Sequence, residues 1–456
     1  MSAALHLTLC EAAEAIAQGR ITSEALVTQA IERVEALNPK LNAFVDLESD
    51  EALEQARKLD REQVAGRSRG PLHGVPLAHK DMYYRAGKVS GCGSSIRRDF
   101  VASTTSPLLE RLEAAGAVNL GRLHMAEFAM GPTGHNAHLG RCCNPWDLDR
   151  ISGGSSSGSG AAVAARLVFG ALGSDTGGSI RLPAAMCGIV GLKPTQGLLA
   201  TDGMMGLSES LDCPGPLARS SRDIARLMDI MSGGSHEAAL ASPVTGMVLG
   251  IPRTFYWEDL APSVANRLER ARRVMEDAGL EIIDVDIPDH SALADLADLV
   301  WTPEAAALHL PWLRERPHDY GAQVRARLIQ GLAISATAYL RARQLRTLAL
   351  EAMLSGPLAR CDALFVPAIR RSVPSAAETD TGSNPNMREV LASITALTRP
   401  LSYLGLPGLV TPAGFDEQGL PVAMQLIGRP REEAALLRIA HAFEERTGFL
   451  HEAPSV

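Results

Sequence analysis

Two glycine–serine clusters, SGGSSSGSG at residues 152–160 and SDTGGSIR at 174–181, constrain this chain more than any other feature. A short apolar segment joins them. Each places a serine directly after a Gly-Gly pair: Ser155 follows Gly153-Gly154, and Ser179 follows Gly177-Gly178. Consecutive glycines open backbone conformations closed to other residues. They also let main-chain N–H groups approach a ligand closely, and such amides can receive a developing oxyanion. A serine at the end of each glycine turn is a candidate nucleophile or proton relay.

The flanking pattern predicts an α/β fold. Residues 8–19 and 22–37 read as helices. In the second, Thr22 is placed to cap the N-terminus. Leu26, Ala30, Ile31, Val34 and Leu37 mark one face at helical spacing, and Asn38-Pro39 is expected to end it. A third helix is predicted near 49–64. GVPLAHK reads as a buried strand ending at Lys80, followed by a helix over 106–115 and a strand at AVNLG. After the first glycine cluster, 158–166 reads as helix and 168–174 as strand. Residues 247–288 form a strand–helix–strand unit, 290–355 are mostly helical, and 373–386 are loop-like. Strands alternating with helices imply a central sheet covered on both faces.

Charge and cysteine content narrow the class. The net charge is −8 with no Lys/Arg-rich run, which argues against a nucleic-acid surface. Seven cysteines without a CxxC pair read as a reduced intracellular set. The neighbours Cys142 and Cys143, near His135 and His138, match no common zinc spacing, so no metal is expected. The N-terminus lacks the pattern of a signal peptide. The longest apolar stretch, Ala161 to Leu172, is interrupted by Arg166 and too short to span a bilayer. The expectation is a soluble, cytoplasmic protein without membrane or nucleic-acid partners; a homodimer is left open.

A serine nucleophile needs a base. The chain has 12 histidines, but none sits in a motif that pairs with either serine. His79 and Lys80 are adjacent on a strand and should point to opposite faces. Lysine serves as a base when desolvation makes it neutral. Lys80 at the end of an apolar strand fits that role, although VPLAHKD alone fits an ordinary surface or ion-paired lysine better.

The segments GGSSSGSG, DTGGSIRLPAA and CGIVGLKPT resemble the signature of the amidase signature family of serine hydrolases. The likeness continues in PLHGVPLAHKD, GRLHMAEFAMGPTG and LGLPGLVTPAGFDEQGLPVAMQLIGRP, and is weakest between about 285 and 395. It implies one large α/β/α sandwich with a mixed central sheet over 1–456. Within it, 1–65 would be N-terminal helices, 66–225 the catalytic core, 226–395 a variable and partly helical region shaping the pocket, and 396–456 a return to the core. It further implies that Ser179 is the acyl-enzyme nucleophile, that Ser155 bridges it to Lys80, and that the Gly154–Ser155 peptide is cis. The amides of Thr176, Gly177, Gly178 and Ser179 would form the oxyanion hole. Ser156, Asp175 and Arg181 would hold the glycine loops together. No metal or organic cofactor is implied. The chain departs from the family pattern at Ser157, where glycine is more usual, and at Met82, where asparagine often follows Lys-Asp.

Met130, Gly131, Pro132 and Thr133 match the loop lining the acyl side of the pocket, and equally read as a simple turn. The run Pro132-Thr133-Gly134-His135 replaces the Ser-Thr-Glu run of tRNA-dependent amidotransferase A subunits, and looks ill-suited to a charged amino acid. Residues 398–407 also resemble stand-alone amidases. The expectation is therefore a stand-alone amidase for small or aryl amides, extending to esters and carbamates, with specificity set by residues 300–345. The alternatives are the glutaminase component (the A subunit) of an amidotransferase and, more remotely, a non-catalytic binding protein.

Overall fold

The computed structural model describes residues 3–380 and 387–456. Its centre is a mixed sheet of eleven strands: β1 (Phe44–Leu47), β2 (Pro76–Lys80), β3 (Val118–Leu123), β4 (Gly170–Asp175), β5 (Val190–Lys193), β6 (Cys213–Ala218), β7 (Val248–Pro252), β8 (Glu281–Val285), β9 (Ala363–Pro367), β10 (Gly408–Phe415) and β11 (Pro421–Ile427). The order is β1-β3-β2-β4-β6-β5-β10-β11-β9-β7-β8. Parallel pairs (β2 with β3 and β4, and β7 with β8 and β9) flank a run of antiparallel ones. The expected α/β architecture with a mixed sheet is therefore present. The C-terminal hairpin β10–β11 sits in the interior of the sheet, bridging β5 to β9.

Local chemistry explains most of the N-terminal helices. Thr8 and Glu11 form a reciprocal capping box, and Thr22 accepts from Ala25 N at the start of Ser23–Leu41. Pro39 does not end that helix as expected. It continues to Leu41, and Asn42 closes it in a left-handed conformation (φ 50°). The Asn38 side chain then receives the amides of Ala43 and Phe44 (both 2.8 Å), so it caps the exit and does not break the helix.

Two short helices, Ser157–Ala164, built of small residues, and Arg181–Cys187, are buried along their whole length. They follow the two glycine clusters. A Cβ on Gly160 would lie 2.7 Å from Pro183 Cβ, so the glycine is what lets the helices touch. This close packing brings the two serine turns side by side. A layer of longer helices packs Leu293–Glu315 with Ala322–Leu332 and Ala336–Ser355, and the first two supply Trp301 and Arg327 to one wall of the resulting cleft. Glu304 ties that layer to the core, accepting from Ser208 Oγ (2.6 Å), Ser210 N (3.0 Å) and Tyr339 Oη (2.8 Å). Of the polar stretch 373–386, residues 377–379 form a 3-10 turn and 381–386 lie outside the described residues. No helix among the described residues is long and apolar enough to cross a membrane.

Candidate active site

β2 is buried at every position and delivers Lys80 to the sheet's carboxyl edge. Lys80 Nζ donates to Ser155 Oγ (2.7 Å) and Ser174 Oγ (2.8 Å), and Ser174 Oγ lies 3.1 Å from Met82 Sδ. The lysine is 0% exposed, and no carboxylate pairs with it among the described residues. Burial pushes its pKa down to about 7, while the carboxylates of Asp212 and Asp175 pull upward. His79 stays apart from the serines: its Nδ1 lies 3.2 Å from the Lys80 carbonyl and its ring meets Tyr83 edge-on.

Ser155 is fully buried and its preceding peptide bond is cis. Ser156 stitches the two clusters together. Its N–H donates to the Ser179 carbonyl (3.2 Å), its hydroxyl accepts from Ser174 N (3.2 Å), and the same hydroxyl lies 3.3 Å from Ser174 O. The extra serine at 157 starts the buried helix, and its hydroxyl has no partner among the described residues. Asp175 receives Arg181 Nε and Nη2 (both 2.9 Å), and Arg181 continues to Gln425 Oε1 and Ser402 Oγ (both 2.7 Å). Burial opposes ionisation of Asp175, but the Arg181 guanidinium holds its pKa down to about 2. This ion pair joins the second cluster to the C-terminal part of the chain.

Ser179 is partly exposed and faces a cleft of about 530 Å³. Its hydroxyl makes no hydrogen bond among the described residues. Lys80 and Ser155 are thus in contact, while Ser179 is presented to the cleft without a closed link to them. Catalytic hydrogen bonds often tighten only once substrate is bound.

The glycine loop departs from expectation at Gly178. Its N–H is already given to Asp175 Oδ1 (2.8 Å) and is not free for an oxyanion. The amides of Thr176, Gly177 and Ser179 make no such bond among the described residues. The Thr176 hydroxyl donates to Asp212 Oδ1 (2.6 Å), a residue that no sequence motif singled out. Asp212 Oδ2 also accepts from Leu207 N (2.7 Å) and Ser208 N (3.1 Å), fixing the loop opposite.

Met130, Gly131 and Pro132 line the cleft; Thr133 does not. Thr133 is buried behind the loop with its hydroxyl 3.0 Å from His135 Nδ1. The other wall comes from segments far apart in sequence: Trp301, Arg327, Thr395 and Arg399. Arg399 Nη1 pairs with Asp298 Oδ2 (2.9 Å), and its Nη2 donates to Thr395 Oγ1 (2.7 Å). Arg327 makes no hydrogen bond or close ion pair among the described residues. Burial and the charge of Arg399 push its pKa down to about 10, against the pull of Asp298.

Comparison with known proteins agrees with this architecture. The amidase family model matches residues 25–437, and the chain belongs to that family, the amidase signature enzymes. It is 34% identical to the A subunit of the glutamyl-tRNA(Gln) amidotransferase of Heliobacterium modesticaldum, across 95% of both chains. Among solved structures, it resembles a protein from an inhibitor-bound "vestigial protein complex" tied to the origins of an s-triazine catabolic enzyme (TM-score 0.90, 32% identity, 97% of this chain and 99% of that one). It also resembles the glutamyl-tRNA(Gln) amidotransferase A subunit of Thermotoga maritima (TM-score 0.79, 30% identity, 93% and 92%). The protein is thus an amidase-type enzyme acting on carbon–nitrogen bonds.

These relatives correct the expectation of a stand-alone hydrolase of small or aryl amides, esters and carbamates that has no nucleic-acid partner. The physical reason for the error lies in the cleft. The acyl loop at Pro132–His135 does lack a charged residue, but charge enters from Arg327 and Arg399 on the opposite wall.

Proposed function

We propose that this chain is the amide-hydrolysing component of an amidotransferase-type assembly, releasing ammonia from a primary amide that bears a carboxylate, as glutamine does. The observation that carries the chemistry is the buried Lys80 Nζ, 2.7 Å from Ser155 Oγ and unpaired with any acid among the described residues. In the cycle, neutral Lys80 accepts a proton through Ser155 as Ser179 attacks the amide carbonyl. The amides of Thr176, Gly177 and Ser179 receive the oxyanion. The lysine returns the proton to the departing nitrogen, leaving an ester on Ser179, and water hydrolyses that ester by the same relay. Ser156, Asp175 and Arg181 keep the two loops in register. Met130, Gly131 and Pro132 border the acyl group.

The assembly reading is supported by the whole-chain similarity to amidotransferase A subunits. We take 1–456 as one functional unit, because strands from both halves share the sheet and Arg181 bonds Ser402 and Gln425 across it. The test is ammonia release from glutamine and other carboxylated amides by the purified chain, with Ser179→Ala as control. Turnover abolished by the substitution supports the reading; equal turnover in the variant rejects it.

A further inference from the structure

Met82 follows the Lys80-Asp81 pair, where the chain leaves the family pattern, and the cycle above gives it no task. Its side chain is buried and turns back toward the base. Ser174 Oγ, also buried, lies 2.8 Å from Lys80 Nζ and 3.1 Å from Met82 Sδ. A neutral amine has two N–H donors and one lone pair. Two hydroxyls flank the amine of Lys80, Ser155 at 2.7 Å and Ser174 at 2.8 Å. Either can donate to the lone pair, but not both at once. The relay runs only when the donor is Ser155, which must pass a proton to the amine as it takes one from Ser179.

The sulfur decides between the two hydroxyls. A thioether accepts a hydrogen bond and has no proton to give. With the Ser174 hydroxyl donating to Met82 Sδ, its oxygen accepts from Lys80, and the lone pair is left to Ser155. Three hydrogen bonds then run in series, from Ser155 to Lys80, from Lys80 to Ser174 and from Ser174 to Met82. The reverse order ends at Ser155, whose hydroxyl has no further partner among the described residues. We infer that Met82 is a positioning residue: its thioether holds the Ser174 proton away from Lys80 and so aims the base at Ser155. This rests on the lysine relay of the proposed function and says how its direction is set.

Met82→Leu keeps the volume and removes the acceptor. A buried Ser174 proton deprived of the sulfur turns to the lysine. The variant should therefore lower kcat for ammonia release from glutamine by about tenfold, with KM within about twofold. The rate at which a fluorophosphonate labels Ser179 should fall by the same factor, and it reads the relay without an amide substrate. Two signatures separate this from loosened packing. First, the freed Ser174 proton favours the neutral amine, which alone can accept it. Asp212, Asp175 and Cys92, whose charges act on Lys80, are untouched. The inflection of the labelling rate should move to lower pH, whereas water entering a loosened site would move it higher. Second, Ser174→Ala removes the competing donor, so adding Met82→Leu to it should change the labelling rate by less than about twofold. An unchanged rate in Met82→Leu, an inflection at higher pH, or the same tenfold loss in the Ser174→Ala background overturns the inference. If wild-type protein is labelled on Ser179 but releases no ammonia from glutamine, the proposed function fails alone, and the labelling rates still decide the role of Met82.

Discussion

The ionisation of Lys80 makes a quantitative prediction. The perturbation is pH. The lysine is wholly buried, its two partners are hydroxyls, and burial sets its pKa at about 7. Only the neutral form can accept the proton of the attacking serine. For a single ionisation at that value, the neutral fraction is about nine-tenths at pH 8, half at pH 7 and about one-tenth at pH 6. Activity should therefore rise with pH, with kcat/KM increasing about tenfold between pH 6 and 8 and levelling above. The assay is ammonia release at limiting substrate, using a substrate with no ionisation of its own in that window. A second perturbation fixes the assignment. The Asp212 carboxylate favours the charged lysine, so Asp212→Asn should move the inflection to lower pH. A flat profile from pH 6 to 8, or an inflection that moves upward in the variant, would refute the neutral-lysine argument.

Other consequences follow from the same geometry. Lys80→Ala should lower kcat by about a thousandfold or more while circular dichroism stays unchanged; near-normal turnover would remove lysine from the mechanism. Asp175→Asn leaves the Arg181 guanidinium, 0% exposed, without its counter-charge, and should cost about 3–5 kcal/mol in denaturant unfolding. Glu444 is buried against Ser221 and Thr411, and burial raises its pKa to about 8. The folded value lies above the unfolded one. Its contribution is therefore complete below the unfolded carboxylate range and lost as pH rises through about 8. Glu444→Gln should flatten the decline in Tm between pH 5 and 8, and an unchanged slope would rule this group out.

Much of the site was legible because its residues carry local signals. Gly-Gly-Ser turns and an apolar strand ending in Lys80 are short-range patterns. The core strands β2, β3 and β4 follow from them. β6 was not legible: its sequence, CPGPLA, carries two prolines that argue against an interior strand. The structure accommodates them because β5 pairs with β6 only at Leu217 and Ala218, beyond both prolines. Nor could sequence order show that Gly178 spends its amide on Asp175, since that depends on the turn's geometry. The guanidinium wall was hidden for a different reason. Arg327 and Arg399 sit on separate helices, and only tertiary packing brings them to Ser179, more than a hundred residues away in sequence. The error about substrate charge came from reading the acyl loop alone.

The most direct test of the central claim is to trap the acyl-enzyme. Intact protein is treated with a fluorophosphonate, digested, and mapped by mass spectrometry. The account predicts a single stable adduct on Ser179, absent from Ser179→Ala and slowed by Lys80→Ala. An adduct elsewhere, or an unlabelled Ser179 in folded protein that still releases ammonia from an amide, would contradict it.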